Sequence, residues 1–495
     1  MRRQAATPIT ILAPFGGMNT RDAVSALPQG KARLLENFVC KQGSVYRRPG
    51  YVQHSISGPA ASVGTLHAHY GPAGQALIGV AGGNVYDYSG STASSLSVAG
   101  YSSDFWQAAT FNGYSIFVNG NDTPFRFDGA SVSATGFTGP GLTLSSLINV
   151  TVSRNRLWFC QRDSADVWYG GISSITGGLT KFQLSQLTGG GHCVAVMPWS
   201  VEDAGDGADD YTVFLMSTGE VVVYSGDPAA TFSLIGKYQM PRPIGFRCWA
   251  HLSGEPIIIT EAGLIPLKSA VRGVAFQDVA LGLFGEVGPS LAADARTYGN
   301  NNGWQIAFVD GLFYINVPTT SGTSKQWVLN TQIGAWSYYS GLPALSIVEY
   351  NGELYLGHPK NGGVYRHSSN VDDGATIICR ARTGFVAATN GNIYNATAVL
   401  HYLEAIGAVT GRFALDFDFN EKPLSSTARV ISDSTSTTPW GALWGSPWSS
   451  TRKTQTKRFS AHGAGQFVAV ALELSGSATE VKWQSSQILG TQGNF

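Results

Sequence analysis

The chain has 495 residues, enough for two or three ordinary domains or for one repeat array with an appendage. Lys plus Arg and Asp plus Glu each number 32, and charged residues make up only 13%, which excludes both a strongly basic nucleic-acid binder and a charge-rich disordered chain. The 61 glycines, with 12 Trp, 20 Tyr and 24 Phe, point instead to many short strands joined by tight turns.

In chain order, the opening MRRQAATPITILAPFGG is interrupted by Pro8 and Pro14 and reads as no secretory signal. No run of about 18 apolar residues follows anywhere, so no membrane span is expected. Residues 1–63 read as an extended arm and closure segment. In it Pro28 and Gly30 make a turn, ARLLENFVC forms a short helix or strand burying Leu34, Leu35 and Phe38, and Gly43 turns the chain into a strand ending at Pro49.

Between residues 64 and 370 one hairpin pattern recurs seven times: an alternating apolar strand, a Gly or Asn turn, and a second strand carrying an aromatic, with Leu267 standing in that place in one copy. LIGVAGGNVYDYSG (77–90) is the clearest copy. The anchors Tyr86, Phe127, Trp168, Tyr224, Leu267, Trp327 and Tyr365 are separated by 41, 41, 56, 43, 60 and 38 residues. Each hairpin is preceded by a further strand-like segment, such as LINVTVSRN (147–155). A period near 40 with four strands per repeat predicts an all-β chain built on a β-propeller of seven blades, with six as the alternative. The two long spacings are assigned to insertions, a Gly and Asp loop at 202–210 and a segment at 271–301 with a short helix around 289–296. Residues 371–495 lose the period and read as a C-terminal β-sandwich-like domain.

Candidate chemistry is sparse. The acidic run EDAGDGADD offers Asp203, Asp206 and Asp209 as weak ligands for a hard cation, without EF-hand spacing, and a solvated loop is the favoured reading. Asp416 and Asp418 alternate in LDFDF and are expected on the polar face of a half-buried strand. His67 and His69 would share a strand face but lack a third ligand. The five scattered cysteines read as buried free thiols. No nucleophile elbow, P-loop, zinc-protease or dinucleotide motif occurs, so no enzyme activity and no cofactor is expected. Basic residues cluster at Arg452, Lys453, Lys457 and Arg458, and again at Arg47 and Arg48, as candidate phosphate or subunit contacts. The Trp-rich segment WGALWGSPW (440–448) leaves a carbohydrate-binding or carbohydrate-degrading propeller as the alternative reading.

The most specific stretch is PFGGMNTRDAVSALPQGKARLLENFVCKQGSVYRRPGY (14–51). Its Gly16, Gly17, Asn19, Arg21 and Asp22 entry, Leu27-Pro28-x-Gly30 turn, Glu36-Asn37-Phe38 step, Gly43, and Arg48-Pro49-Gly50-Tyr51 exit resemble the opening of podovirus virion proteins of the tail-tube and nozzle type. The resemblance extends more weakly to the blade pattern and to the C-terminal segment GAGQFVAVALELSGSATEVKWQSSQI. It implies a homo-oligomeric ring, usually of six subunits, in the phage tail below the portal and adaptor. Such a ring docks tail fibres or spikes and passes genomic DNA without sequence specificity.

Overall fold

The structure is a computed structural model and describes residues 8–57, 60–203, 207–272, 283–320, 322–388, 392–432, 453–455 and 458–493. The chain is all-β, with a few short helices and 3-10 turns among the described residues. Seven antiparallel sheets follow one another from Val63 to Ser369. Their first strands are Val63–Gly71, Gln107–Phe111, Leu147–Ser153, Cys193–Asp203, Trp249–Leu252, Gln305–Val309 and Ser346–Tyr350. Each pairs with a second strand, which pairs with a third. The sequence anchors fall on the third strands, except Leu267, which opens the helix Leu267–Val271 directly after one.

Sheets one to four and sheet six add a fourth strand in chain order, whereas the fifth has three strands among the described residues. The seventh takes its fourth strand from the arm: Gly50–Ile56 runs antiparallel to Gly363–Ser369. Of residues 202–210, expected as a loop, the described ones are strand. Cys193–Asp203 and Gly207–Met216 stay in register out to Asp203 opposite Gly207, so the insertion lengthens a hairpin. The helix expected around 289–296 is present as Gly288–Tyr298.

Buried side chains explain why the inner strands read as nearly continuous apolar runs rather than as one-sided alternation. In Arg156–Gln161 five consecutive residues are buried. Trp158 and Cys160 join the cluster shared with the fourth sheet, while Leu157 and Phe159 join the cluster shared with the second. Val221 and Val223 likewise face the fifth sheet, and Val222 and Tyr224 the third. Successive residues point to opposite faces of a strand, so a sheet covered on both sides must be apolar at every position. Each such side chain contributes on the order of 1.5–3 kcal/mol by leaving water. One buried cluster lies between each consecutive pair of sheets, and another joins Tyr350, Tyr355 and Val364 of the seventh to Leu66, Leu77 and Tyr86 of the first.

Apart from the short parallel pair Phe137–Thr138 and Gly177–Gly178, the remaining strands form two larger sheets. In one, Phe38–Lys41, Ser44–Arg47, Glu480–Gly493 and Ile393–Ile406 lie side by side, with Ile9–Leu12, Lys453–Gln455 and Arg458–Gly465 attached. In the other, Cys379–Thr383, Phe467–Ser475, Val409–Phe417 and Arg429–Ser432 join the sixth of the seven sheets through Ala32–Glu36. Trp483, Val399 and Phe38 from one sheet and Leu472, Val470 and Phe417 from the other share a single buried cluster. Residues 32–47 of the arm are thus strands within these two sheets. The segment ARLLENFVC is extended, broken at Asn37, whose φ is +59°. Leu35 and Phe38 are fully buried and Leu34 is half-buried.

Candidate functional site: the arm junction and the central cavity

Two places concentrate polar groups, a junction around Arg48 and a cavity where the first strands meet. At the junction the Arg48 guanidinium is 1% exposed and all five of its N–H donors are used. Nη1 and Nη2 bind Asp372 Oδ1 and Oδ2 at 2.8 and 2.7 Å, a paired fork that fits guanidinium and carboxylate geometry. The other three bonds go to Pro49 O, Ser340 O and Asn37 Oδ1. Asn37 Oδ1 also accepts the Ser340 N–H, and its Nδ2 donates to Ile378 O at 2.8 Å. Glu36 completes the junction, accepting from the Ser340 hydroxyl at 2.6 Å and pairing with Arg380 at 3.2 Å. The last strand of the sixth sheet, the exit of the seventh and the arm therefore meet on one arginine, and Asn37 and Glu36 link it to the segment around Ile378 and Arg380.

Glycine is required nearby by sterics. A Cβ on Gly50 would lie 2.1 Å from Val371 O, and one on Gly17, at φ +87°, would lie 2.5 Å from Trp336 N. A second carboxylate is held in the same way. Asp416, fully buried, takes Arg33 at 2.8 Å and Arg382 at 2.7 Å and accepts the Lys422 N–H. The polar-face expectation for LDFDF is corrected by this geometry. Asp416 is an interior ion-pair residue, and Asp418 lies beyond the strand end, at φ +47°, accepting the N–H groups of Gln466 and Phe467.

The predicted site residues are distributed as follows. Arg48 is turned inward, and its saturated guanidinium has no donor left for a phosphate or a neighbouring subunit. Arg47 donates to the carbonyls of Gly476 and Ala478. Arg458 is exposed on a strand paired with Ile393–Ile406, and Lys453 lies on the short strand Lys453–Gln455 paired with the same element. Arg452, Lys457 and the Trp-rich segment 440–448 lie outside the described residues, as does Asp206. Asp203 and Asp209 sit on the two strands of the long hairpin, their side chains likewise outside the description. All five cysteines are free and buried.

The cavity measures about 440 Å³ and takes lining residues from every one of the seven first strands. Arg247, just before the fifth of these strands, reaches across it. Nη1 donates to Gly64 O and Gln305 Oε1, and Nη2 to Thr65 Oγ1 at 2.8 Å and Trp106 O at 2.7 Å. One side chain thus ties the fifth sheet to the first, second and sixth. Burial pulls its pKa down to about 10. His67 also lines the cavity, its Nε2 at 3.0 Å from both Thr110 Oγ1 and Ser115 Oγ, while His69 Nδ1 reaches the same serine at 2.8 Å. Burial, with the charges of His69 and Arg247, pushes His67 down to about 4. Among the described residues no group of three or more His, Cys, Asp or Glu side chains is placed to hold a metal. Sequence reasoning missed Arg247 and Asp372, because a lone basic or acidic residue outside a motif gives no local signal.

No protein-family model matches the chain, and the search of curated proteins finds no match. Among solved structures it is similar to the extracellular domain of a protein described as a one-component system from B. thetaiotaomicron, at 8% identity and a TM-score of 0.43. That match covers 87% of this chain and 58% of the other. A likeness this distant carries no argument about function. No helix among the described residues is long and apolar enough to cross a membrane.

Proposed function

We propose that the seven sheets are the blades of a closed β-propeller, and that the chain is a structural virion protein forming the tail nozzle ring of a short-tailed phage. The closure reading is supported by the outer strand that the arm lends to the seventh sheet and by the apolar cluster between the seventh and first sheets. Support for the nozzle reading comes from where the resembling residues sit. Gly17, Glu36, Asn37, Arg48 and Gly50 are the members of one joint between the propeller and the C-terminal β sheets. The pattern shared with nozzle-type proteins is therefore a pattern of architecture. A rigid wedge whose parts are locked by a saturated arginine suits a ring subunit that must transmit load without deforming, and closed symmetry makes one interface serve every copy.

In this reading the ring sits below portal and adaptor, carries tail fibres or spikes and lets DNA pass by weak, sequence-independent contacts, with Arg458 as the exposed basic candidate. Electron microscopy of the full chain mixed with the portal–adaptor complex of the same virus tests it. Added ring density below the adaptor is expected. Unchanged complexes beside free monomers would refute the assignment.

A further inference from the structure

The central cavity has an electrostatic property that the ring role does not use. Arg247 brings a positive charge into it, and every acceptor on that guanidinium is neutral: two carbonyls, a hydroxyl and an amide oxygen. Among the described residues no carboxylate pairs with it, and none lines the cavity. Partial burial of a cation without a counter-ion is costly, and neutral acceptors offset only part of that cost. Elsewhere in this chain the buried arginines Arg48 and Arg156 each have an aspartate. Among the described residues Arg247, like Arg47, has neutral acceptors alone, and Arg247 is the one of the two that lines this cavity.

The donors left over point to what would complete the site. The four Nη hydrogens of Arg247 are used, which leaves Nε–H. The amide of Gln107, next to the Trp106 carbonyl that Arg247 binds, has no side-chain hydrogen bond among the described residues, nor has the indole N–H of Trp249. The lining also includes the apolar side chains of Leu66, Val150, Ile306 and Val348. A volume of about 440 Å³ lies within the range of sites for small organic ligands.

We propose that this cavity binds a small molecule carrying a carboxylate or phosphate group, its oxyanion against Arg247 and its body against the apolar lining. The charge that the fold leaves unpaired is then paired by the ligand, and the ligand ties the first strands together as Arg247 does. Bound anion therefore adds to the stability of the propeller by mass action.

Isothermal titration of the full chain with inorganic phosphate, acetate and benzoate, against chloride at equal ionic strength, tests the proposal. Saturable binding of at least one oxyanion is expected, phosphate alone indicating a phosphate ligand and benzoate over acetate a carboxylate with an apolar body. Gln107→Glu places a carboxylate in the cavity without touching the Arg247 bonds and should weaken binding by at least about tenfold. Trp249→Phe, which keeps the ring and removes the donor, should weaken it less and guards against misfolding of the first variant. Absence of saturable binding by all three anions, or an affinity in both variants equal to that of the unaltered chain with an unchanged circular dichroism spectrum, would overturn the proposal.

Discussion

Sheets two to four and the junction around Arg48 are held together by opposite means. In the sheets, neighbours in space are neighbours in sequence, and their faces meet through aromatic packing such as Trp158 against Phe214 at 5.4 Å and Phe182 against Tyr224 at 5.3 Å. At the junction, Arg48 and Asp372 lie 324 residues apart and meet through charge and hydrogen bonds in a dry setting. Apolar packing is non-directional and tolerates small adjustments, whereas a buried ion pair fixes one geometry and is costly when half of it is removed. The sheets therefore supply the bulk of the stability, and the junction determines how the arm, the seven sheets and the C-terminal sheets are joined.

The largest expected effect comes from breaking the junction. Arg48→Ala should cost about 3–5 kcal/mol, because it strands the Asp372 carboxylate and the Asn37 and Ser340 acceptors. Urea denaturation checks this. The double variant with Asp372→Asn should lose less than the sum of the two singles, and strict additivity would show that the pair does not act as a unit. Next, Leu157→Ala should cost about 2–5 kcal/mol by opening a cavity between the second and third sheets. Hydrogen exchange should then rise in those sheets and not at residues 32–50. Exchange spreading evenly to the arm would contradict the division drawn between the two regions.

Acidification should act on the first and seventh sheets and on the C-terminal sheets. His67 is pushed down to about 4, and His367 and His401 to about 3, each by burial. Below pH 6.5 the unfolded chain binds protons that these folded sites exclude, so stability present at neutral pH is lost as pH falls from about 6.5 toward 3–4. The slope is roughly 1.4 kcal/mol per pH unit for each group. Urea midpoints at pH 7.5 and 5 should differ accordingly, and His401→Asn should reduce the difference; an identical difference in that variant would remove His401 from the account. The smallest effect belongs to the half-exposed Arg21–Asp22 pair. Its loss in Arg21→Ala should change stability by no more than about 1 kcal/mol, measured by the same denaturation.

How legible each region was follows from the same contrast. The seven hairpins could be read because period-two patterning and Gly or Asn turns are local signals, and six anchors fell on third strands. The fourth strands were harder: Ser94–Ser97 carries three serines and a leucine and is recognisable only by its partner. Nothing local marks Gly50–Ile56 as the outer strand of a sheet some 300 residues away. Arg47 and Arg48 read as one basic cluster, yet adjacent residues on an extended chain point opposite ways, and Arg48 points to the interior. Asp416 was misread for a related reason. A carboxylate alternating with phenylalanines suggests a wet face until two arginines from other strands are placed over it. The cavity was illegible altogether, since its lining is one or a few residues from each of seven strands.

The proposed role as a ring subunit of a phage tail is tested most directly by native mass spectrometry of the full chain with a portal–adaptor complex. A single added mass equal to a closed ring, six copies by the family resemblance, is the predicted result. A complex that gains no mass, with the chain remaining monomeric, would contradict it.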